Sequence, residues 1–221
     1  MADGFVERMA KAETERTSHC YAIAPGIVIN NLDFLALGRV QVRVPLLPAF
    51  EPWCRIAVVG GSSGRGFAWI PQIGDEVLVA FSQHDERDAY VLGGLWNSLD
   101  RPPLLAPNDA LVKRVIKTGM EVGIGHEVEF DDVLQSVKIT SSTKQKITID
   151  PTTIELKNTA GTLSIKMDNT SQTISISSAL KLELKATQIS IQGTTIELKG
   201  TSIDIKAAGP CSIKGAVVNI N

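Results

Sequence analysis

Between about Val137 and Asn221, aliphatic residues two apart recur as pairs at nearly constant intervals, and this repeat limits the possible folds more than any other feature. From Leu182 the pairs are Leu182/Leu184, Ile189/Ile191, Ile196/Leu198 and Ile203/Ile205, each starting seven residues after the last. A step of eight across Gly209–Pro210 reaches Cys211/Ile213, and a step of seven reaches Val218/Ile220. Looser pairs lie upstream at Val137/Ile139, Ile147/Ile149, Ile154/Leu156, Leu163/Ile165 and Ile174/Ile176. Units repeated at fixed period bury their apolar face only against their neighbours, so the repeat decides the architecture before local propensity does.

Seven is also the coiled-coil period, but coiled coils place apolar residues three and four apart among helix formers. Here the spacing is two, the period of a strand, and both side chains point to one side. Glu155, Glu183, Ser190, Glu197, Asp204 and Asn219 lie between the pairs, with Ser, Thr and Gly on the flanks. Those residues favour strands and turns over helix. Such units have one narrow apolar face and two ways to cover it: one chain coiling on itself, or three chains winding into a triangular prism. A self-coiled solenoid usually needs more residues per turn and capped ends, whereas three wound chains need one short strand per face. The period therefore predicts a homotrimer. Its core is expected at Ile154, Leu156, Leu182, Leu184, Ile189, Ile191, Ile196, Leu198, Ile203, Ile205, Ile213, Val218 and Ile220. From Ser136 to Asn221 there is no aromatic residue and no arginine, which suits a thin prism with no room for rings. Strands stacked at their usual spacing give a needle about 50 Å long, and its unfolding should be slow.

The net charge of −2 argues against a general nucleic-acid binder. It is unevenly spread: residues 1–135 carry 12 basic and 18 acidic groups, and residues 136–221 carry 10 and 6. Lys157, Lys185, Lys199 and Lys206 flank the pairs as a solvated outer face that guards against aggregation. No apolar stretch reaches the length of a membrane span, and Met1–Thr17 is polar, unlike a signal peptide. Assembly in the cytoplasm without a signal peptide is expected. Cys20, Cys54 and Cys211 lack metal-ligand spacing, and Cys211 reads as a small core residue.

Residues 1–18 form an N-terminal extension in which Phe5–Ala12 suits a short helix. A β-domain is expected over 19–100. Its strands are read at Tyr21–Asn30, Leu37–Pro45, Trp53–Val58, Val77–Phe81 and Tyr90–Trp96, with the glycine loop Gly60–Gly66 leading into Phe67–Pro71 and an acidic turn at His84–Asp88. Val40, Val42 and Val44 alternate with Arg39, Gln41 and Arg43. Short strands with glycine turns fit a small barrel, the OB-fold being the natural size. A linker or neck follows over 101–135 and the needle over 136–221, so the fold class is all-β, an OB-fold barrel followed by an intertwined trimeric β-helix.

Several residues carry a resemblance. Gly38-Arg39-Val40-x-Val42-Arg43, Trp53-x-Arg55, Gly66-Phe67, Pro71-x-x-Gly74-Asp75-Glu76-Val77-Leu78-Val79-x-Phe81 and Val91-Leu92-Gly93-Gly94-Leu95-Trp96-Asn97 occur in that order. They resemble the OB domain of contractile-injection spikes, the phage baseplate assembly protein V family and its relatives, among them the type VI secretion protein VgrG. The likeness covers about residues 20–100, and the repeat extends it toward Asn221. It implies a non-enzymatic homotrimeric spike in a phage tail or a secreted or extracellular contractile particle. The spike docks under a hub or tube baseplate protein and pierces the target membrane mechanically when the sheath contracts. VgrG proteins carry a hub-like N-terminal region that is missing here, so a separate hub is implied. His19, His84 and His126 lie far from Asn221, so the paired-histidine iron tip of some phage spikes is not expected. A PAAR-type tip protein docking on Val218, Asn219, Ile220 and Asn221 is expected instead.

Other chemistry is weighed against plainer readings. Gly60–Gly66 lacks the Gly-Lys-Ser/Thr ending of a phosphate loop and reads as a hairpin. Ser62 and Ser63 have no nucleophile-elbow pattern. Asp85, Glu86 and Asp88 with His84 fit a solvated turn better than a divalent-ion site. His126 beside Glu127 and Glu129 reads as a solvent-facing neck residue. Trp53, Phe67, Trp69, Phe81 and Trp96 are assigned to the barrel core and trimer contacts, and Arg39, Arg43 and Arg55 to ion pairs across subunits. No catalytic residue, cofactor or metal is expected. The alternative is a single-stranded nucleic-acid-binding OB-fold protein with a β-solenoid tail, its aromatics stacking on bases; a specific nucleic-acid partner is not expected. An envelope-degrading enzyme needs paired carboxylates and sugar-stacking aromatics, which the tail lacks.

Overall fold

The computed structural model describes residues 23–82, 85–104, 106–119 and 124–219, with the backbone alone at Glu86. The N-terminal extension, Cys20, His84, Ile220 and Asn221 lie outside the described residues. The chain divides into two compact units, 1–179 and 180–221. Among the described residues strand is nearly the only regular structure, with twelve strands and one helical turn, α1 (Asp109–Val112).

Five strands close a barrel: β1 (Ile23–Asn30), β2 (Val40–Arg43), β3 (Trp53–Ile56), β4 (Glu76–Ser82) and β5 (Asp85–Gly94), in the order β1-β2-β3-β5-β4. Every pairing is antiparallel except β3 with β5. Alternation fills the interior: Ala24 and Val28 from β1, Val40 and Val42 from β2, Val77, Val79 and Phe81 from β4, with Cys54, Ala89 and Val91. Gly26 permits the tight closure, because a Cβ there would stand 2.5 Å from Val42 Cγ1. Closure leaves the barrel without free sheet edges.

Of the five aromatics assigned to core and contacts, Phe81 enters the core, while Phe67, Trp69 and Trp96 stand exposed. Branched aliphatics already fill so narrow an interior. Against the expected acidic turn at His84–Asp88, Asp85–Asp88 belong to β5.

A second sheet holds seven strands: β6 (Lys113–Lys117), β7 (Glu127–Asp131), β8 (Ser136–Thr140), β9 (Lys146–Ile149), β10 (Thr153–Lys157), β11 (Leu163–Asp168) and β12 (Thr173–Ser178). Each pairs antiparallel with the next, so this stretch is a meander. The upstream pairs are thus not wound copies of the later ones; their turns reverse the chain. Asp131, Asp150 and Asp168 make those reversals along one margin, each carboxylate accepting two backbone N–H groups at 2.8–3.1 Å from the residues two and three ahead. Such Asx turns are the usual device for short polar side chains.

In the unit 180–221, no strand forms among the described residues. The backbone bends at Thr187, Thr194–Thr195, Thr201, Ala208–Gly209 and Ala216, one bend between each two successive apolar pairs. The small residues Gly193, Gly200 and Gly215 precede these bends, and a Cβ on any of them would lie 3.2–3.3 Å from the carbonyl oxygen two residues on. Sequence period and bend period coincide.

Candidate functional site

Strand register sorts the meander into two faces. Ile116, Val128, Ile139, Ile147, Leu156 and Ile165 lie in one continuous cross-strand row that ends at Ile176. Phe130, Val137, Ile149, Ile154, Met167 and Ile174 form the row beside it. The opposite face is polar and closed by ion pairs. Lys113 and Lys138 flank Glu129 at 3.6 and 3.1 Å, and Lys117 meets Glu127 at 2.9 Å. Glu129, with Asp109 and Asp131 beyond it, raises the Lys113 pKa, which marks this face as electrostatically settled. The apolar face has no such cover: Ile139, Ile149, Ile154, Leu156, Ile165 and Met167 are all more than two-fifths exposed. So large a contiguous apolar surface marks an interaction face.

Ile154 and Leu156 of the expected trimer core belong to this sheet. The others lie in the tail, where Leu182, Leu184, Ile189, Ile191, Ile196, Leu198, Ile203, Ile205, Ile213 and Val218 range from 49% exposed at Val218 to 71% at Ile213. Ile220 and Asn221 of the expected tip-docking group lie outside the described residues, and Asn219 is exposed. Phe130 and Met167 were missed by a reading based on pairs. A period-two scan continued past each pair would have found Met167, two residues beyond Ile165.

The lysines beside the pairs are neutralised by an acid two residues away in their own chain. Lys157 meets Glu155 at 2.7 Å, Lys166 meets Asp168 at 3.0 Å, Lys185 meets Glu183 at 3.2 Å and Lys199 meets Glu197 at 2.8 Å. Residues two apart on a strand share a face, so the sequence alone makes these contacts.

On the barrel, the arginines expected to reach across subunits find acids in their own chain. Arg39 grips Asp33 through Nε and Nη2, each at 3.0 Å, and lies 5.6 Å from the Trp53 ring centroid. Arg43 meets Glu51 at 2.8 Å. Arg55, opposite Tyr90 in the β3–β5 register, bonds Asp88 at 3.1 Å and the Tyr90 hydroxyl, and stacks on the Tyr90 ring. The Tyr90 hydroxyl donates to Asp88, which lowers the Asp88 pKa and raises that of Tyr90. Asp88 is therefore engaged, while Asp85 accepts the Arg87 backbone N–H. Ser62 and Arg65 exchange backbone hydrogen bonds at 3.1 and 3.2 Å, making the glycine loop a tight hairpin. His126 is exposed, and its backbone is tied to Thr118 at the base of the β6–β7 hairpin.

Residues 24–96, the span of the closed barrel, match the model of the type VI secretion system/phage-baseplate injector OB domain. The barrel is similar to that domain along its whole length. An 81-residue stretch is also 32% identical to the actin cross-linking toxin VgrG1 of Vibrio cholerae, a match that covers 36% of this chain and 7% of the toxin. The chain thus spans a small fraction of that relative. An injector OB domain joined to a sheet and a repeat tail with uncovered apolar faces supports a structural role in a baseplate or VgrG-like spike.

Proposed function

We propose that three copies of this chain form the central spike of a contractile, phage-tail-like injection machine. The observation that carries this reading is the tail. Over 180–219 the described residues bend at the period of the apolar pairs, yet no strand pairs within the chain. Strands need ladder partners and the pairs need cover. Two further copies supply both, stacking one strand per face around a shared core. A self-coiled solenoid would instead pair successive turns of one chain. The uncovered face of the meander suits three sheets packed inward, ahead of the wound segment.

In this reading the spike does no chemistry. The injector OB domains dock under a hub or tube protein, the shaft transmits axial load when the sheath contracts, and the target envelope is breached mechanically. The domains divide as extension 1–18, barrel 19–100, neck 101–135 and needle 136–221, with the last seven-stranded sheet spanning neck and needle. A PAAR-type tip protein covers the end near Val218 and Asn219. The site of action is a phage tail or a secreted contractile particle.

Native mass spectrometry tests the reading. The expected species has three times the 23.8 kDa of one chain and stays assembled in dodecyl sulfate until boiled. A monomer at micromolar concentration overturns it. Single-stranded DNA should leave the native mass unchanged.

A further inference from the structure

The loop between β1 and β2 holds apolar side chains in water on a rigid frame. The Asp33 side chain, 6% exposed, accepts the backbone N–H groups of Leu35, Leu37 and Arg39 at 3.1, 3.2 and 3.3 Å, besides the Arg39 guanidinium. Asn30 accepts the Leu32 N–H at 3.0 Å, and Asn31 Nδ2 donates to the Pro71 carbonyl at 3.2 Å. Ala36 and Gly38 take positive φ values of 53° and 68° to complete the fold of the loop. On this frame Leu32, Phe34, Leu35 and Leu37 stand 60–87% exposed. Single exposed apolar residues are ordinary, but four on a pinned loop are a contact surface. Asp33 and Arg39 cancel each other, so this surface carries no net charge.

The same barrel offers a receiving surface. The Phe67 and Trp69 rings stack with centroids 5.7 Å apart and planes 5° from parallel, and both are about half exposed. Val59 adjoins them, its carbonyl accepting the Phe67 N–H at 3.1 Å. Loop and shelf are neighbours, since a Cβ on Gly38 would lie 3.9 Å from Cδ1 of Ile70, the residue after Trp69. In a ring of three, both neighbours of any subunit lie toward its inner side. Giving and receiving surfaces of such a head-to-tail contact must therefore be adjacent on one barrel.

We propose that the β1–β2 loop of each barrel seats Phe34 and Leu35 on the Phe67–Trp69 shelf of the next, closing the three barrels into a ring. This rests on the trimeric reading above. The occupant is a second copy of the chain, held at high effective concentration by the sheet and tail, so a small apolar contact suffices.

Hydroxyl-radical footprinting of the full-length chain, read by peptide mass spectrometry beside the native mass, tests the contact. Trp69 should oxidise several-fold more slowly than Trp96, which is exposed and outside the contact. Replacing Phe34→Ser and Leu35→Ser together should bring Trp69 to the Trp96 rate while the trimer mass persists. If that variant does not fold, Phe67→Ser read on Phe34 oxidation serves in its place, with a several-fold rise expected. A trimer in which Trp69 already oxidises as fast as Trp96, or ignores the substitutions, overturns the ring contact and leaves the spike reading intact. A monomer overturns both.

Discussion

Asp33 organises more of its surroundings than any other single carboxylate of the barrel, and its ionisation should be visible in stability. The Arg39 guanidinium, helped by the Leu35 and Arg39 backbone N–H groups, holds its carboxyl well below the usual carboxylate range. A group with a depressed folded-state pKa stabilises fully above its unfolded value, and the contribution disappears as pH falls through the folded value. Asp150 and Asp168 follow the same sign, each held at about 2 by turn hydrogen bonds, from the Thr152 and Thr153 side chains first at Asp150 and the Ser171 backbone first at Asp168. Stability of barrel and sheet should therefore be flat above pH ~5 and fall from about 4 downward. Urea midpoints followed by circular dichroism across that range check it. At Gly26 the constraint is steric: Gly26→Ala should cost about 1–3 kcal/mol by overpacking against Val42 and Val44. Gly93→Ala, with no atom within 4 Å of its Cβ, should stay within about 1 kcal/mol in the same urea titration.

At the scale of elements, the two faces of the meander make opposite predictions. Ile165→Asp places a charge in the apolar row and should shift the native mass from trimer toward monomer. Lys166→Thr, one residue along on the polar face, should change stability by only about 0.5 kcal/mol and leave the mass alone. The barrel was legible in the sequence because Val40/Val42 and Val77/Val79/Phe81 alternate cleanly between turn residues. The meander was not, since pairs two apart look alike whether a strand reverses or winds onward. Turn chemistry makes the distinction: Asp150-Pro151 and Asp168-Asn169 reverse the chain, while Gly193 and Gly200 only bend it. The partners of Arg39 and Arg43 were misread because their acids are local, Asp33 six residues before Arg39 and Glu51 eight after Arg43, while Arg55 finds Asp88 only through the β3–β5 pairing. The exposed loop at Phe34 left no periodic trace, and only its packing reveals it.

For the whole molecule, the trimeric spike proposed above would divide the work of assembly between tail and meander. Deleting residues 180–221 removes the pairs from Leu182 to Ile220 but leaves the barrel core and the sheet ladders in place. Such a chain should keep its β-type circular dichroism spectrum and lose its resistance to dodecyl sulfate, as seen on unboiled gels. Interwound strands cannot separate one at a time, so the tail should contribute most to the barrier against dissociation.

The charges of residues 136–221 bear on how copies of the proposed spike would find one another. Lys157, Lys185 and Lys199 are paired with acids of their own chain, yet residues 136–221 still carry 10 basic groups against 6 acidic ones, so aligned copies of this segment repel one another at long range. Association should then respond to salt: light-scattering assembly rates that climb from dilute buffer to strong brine, as screening weakens that repulsion, would mark a part whose manufacture answers to the ionic climate.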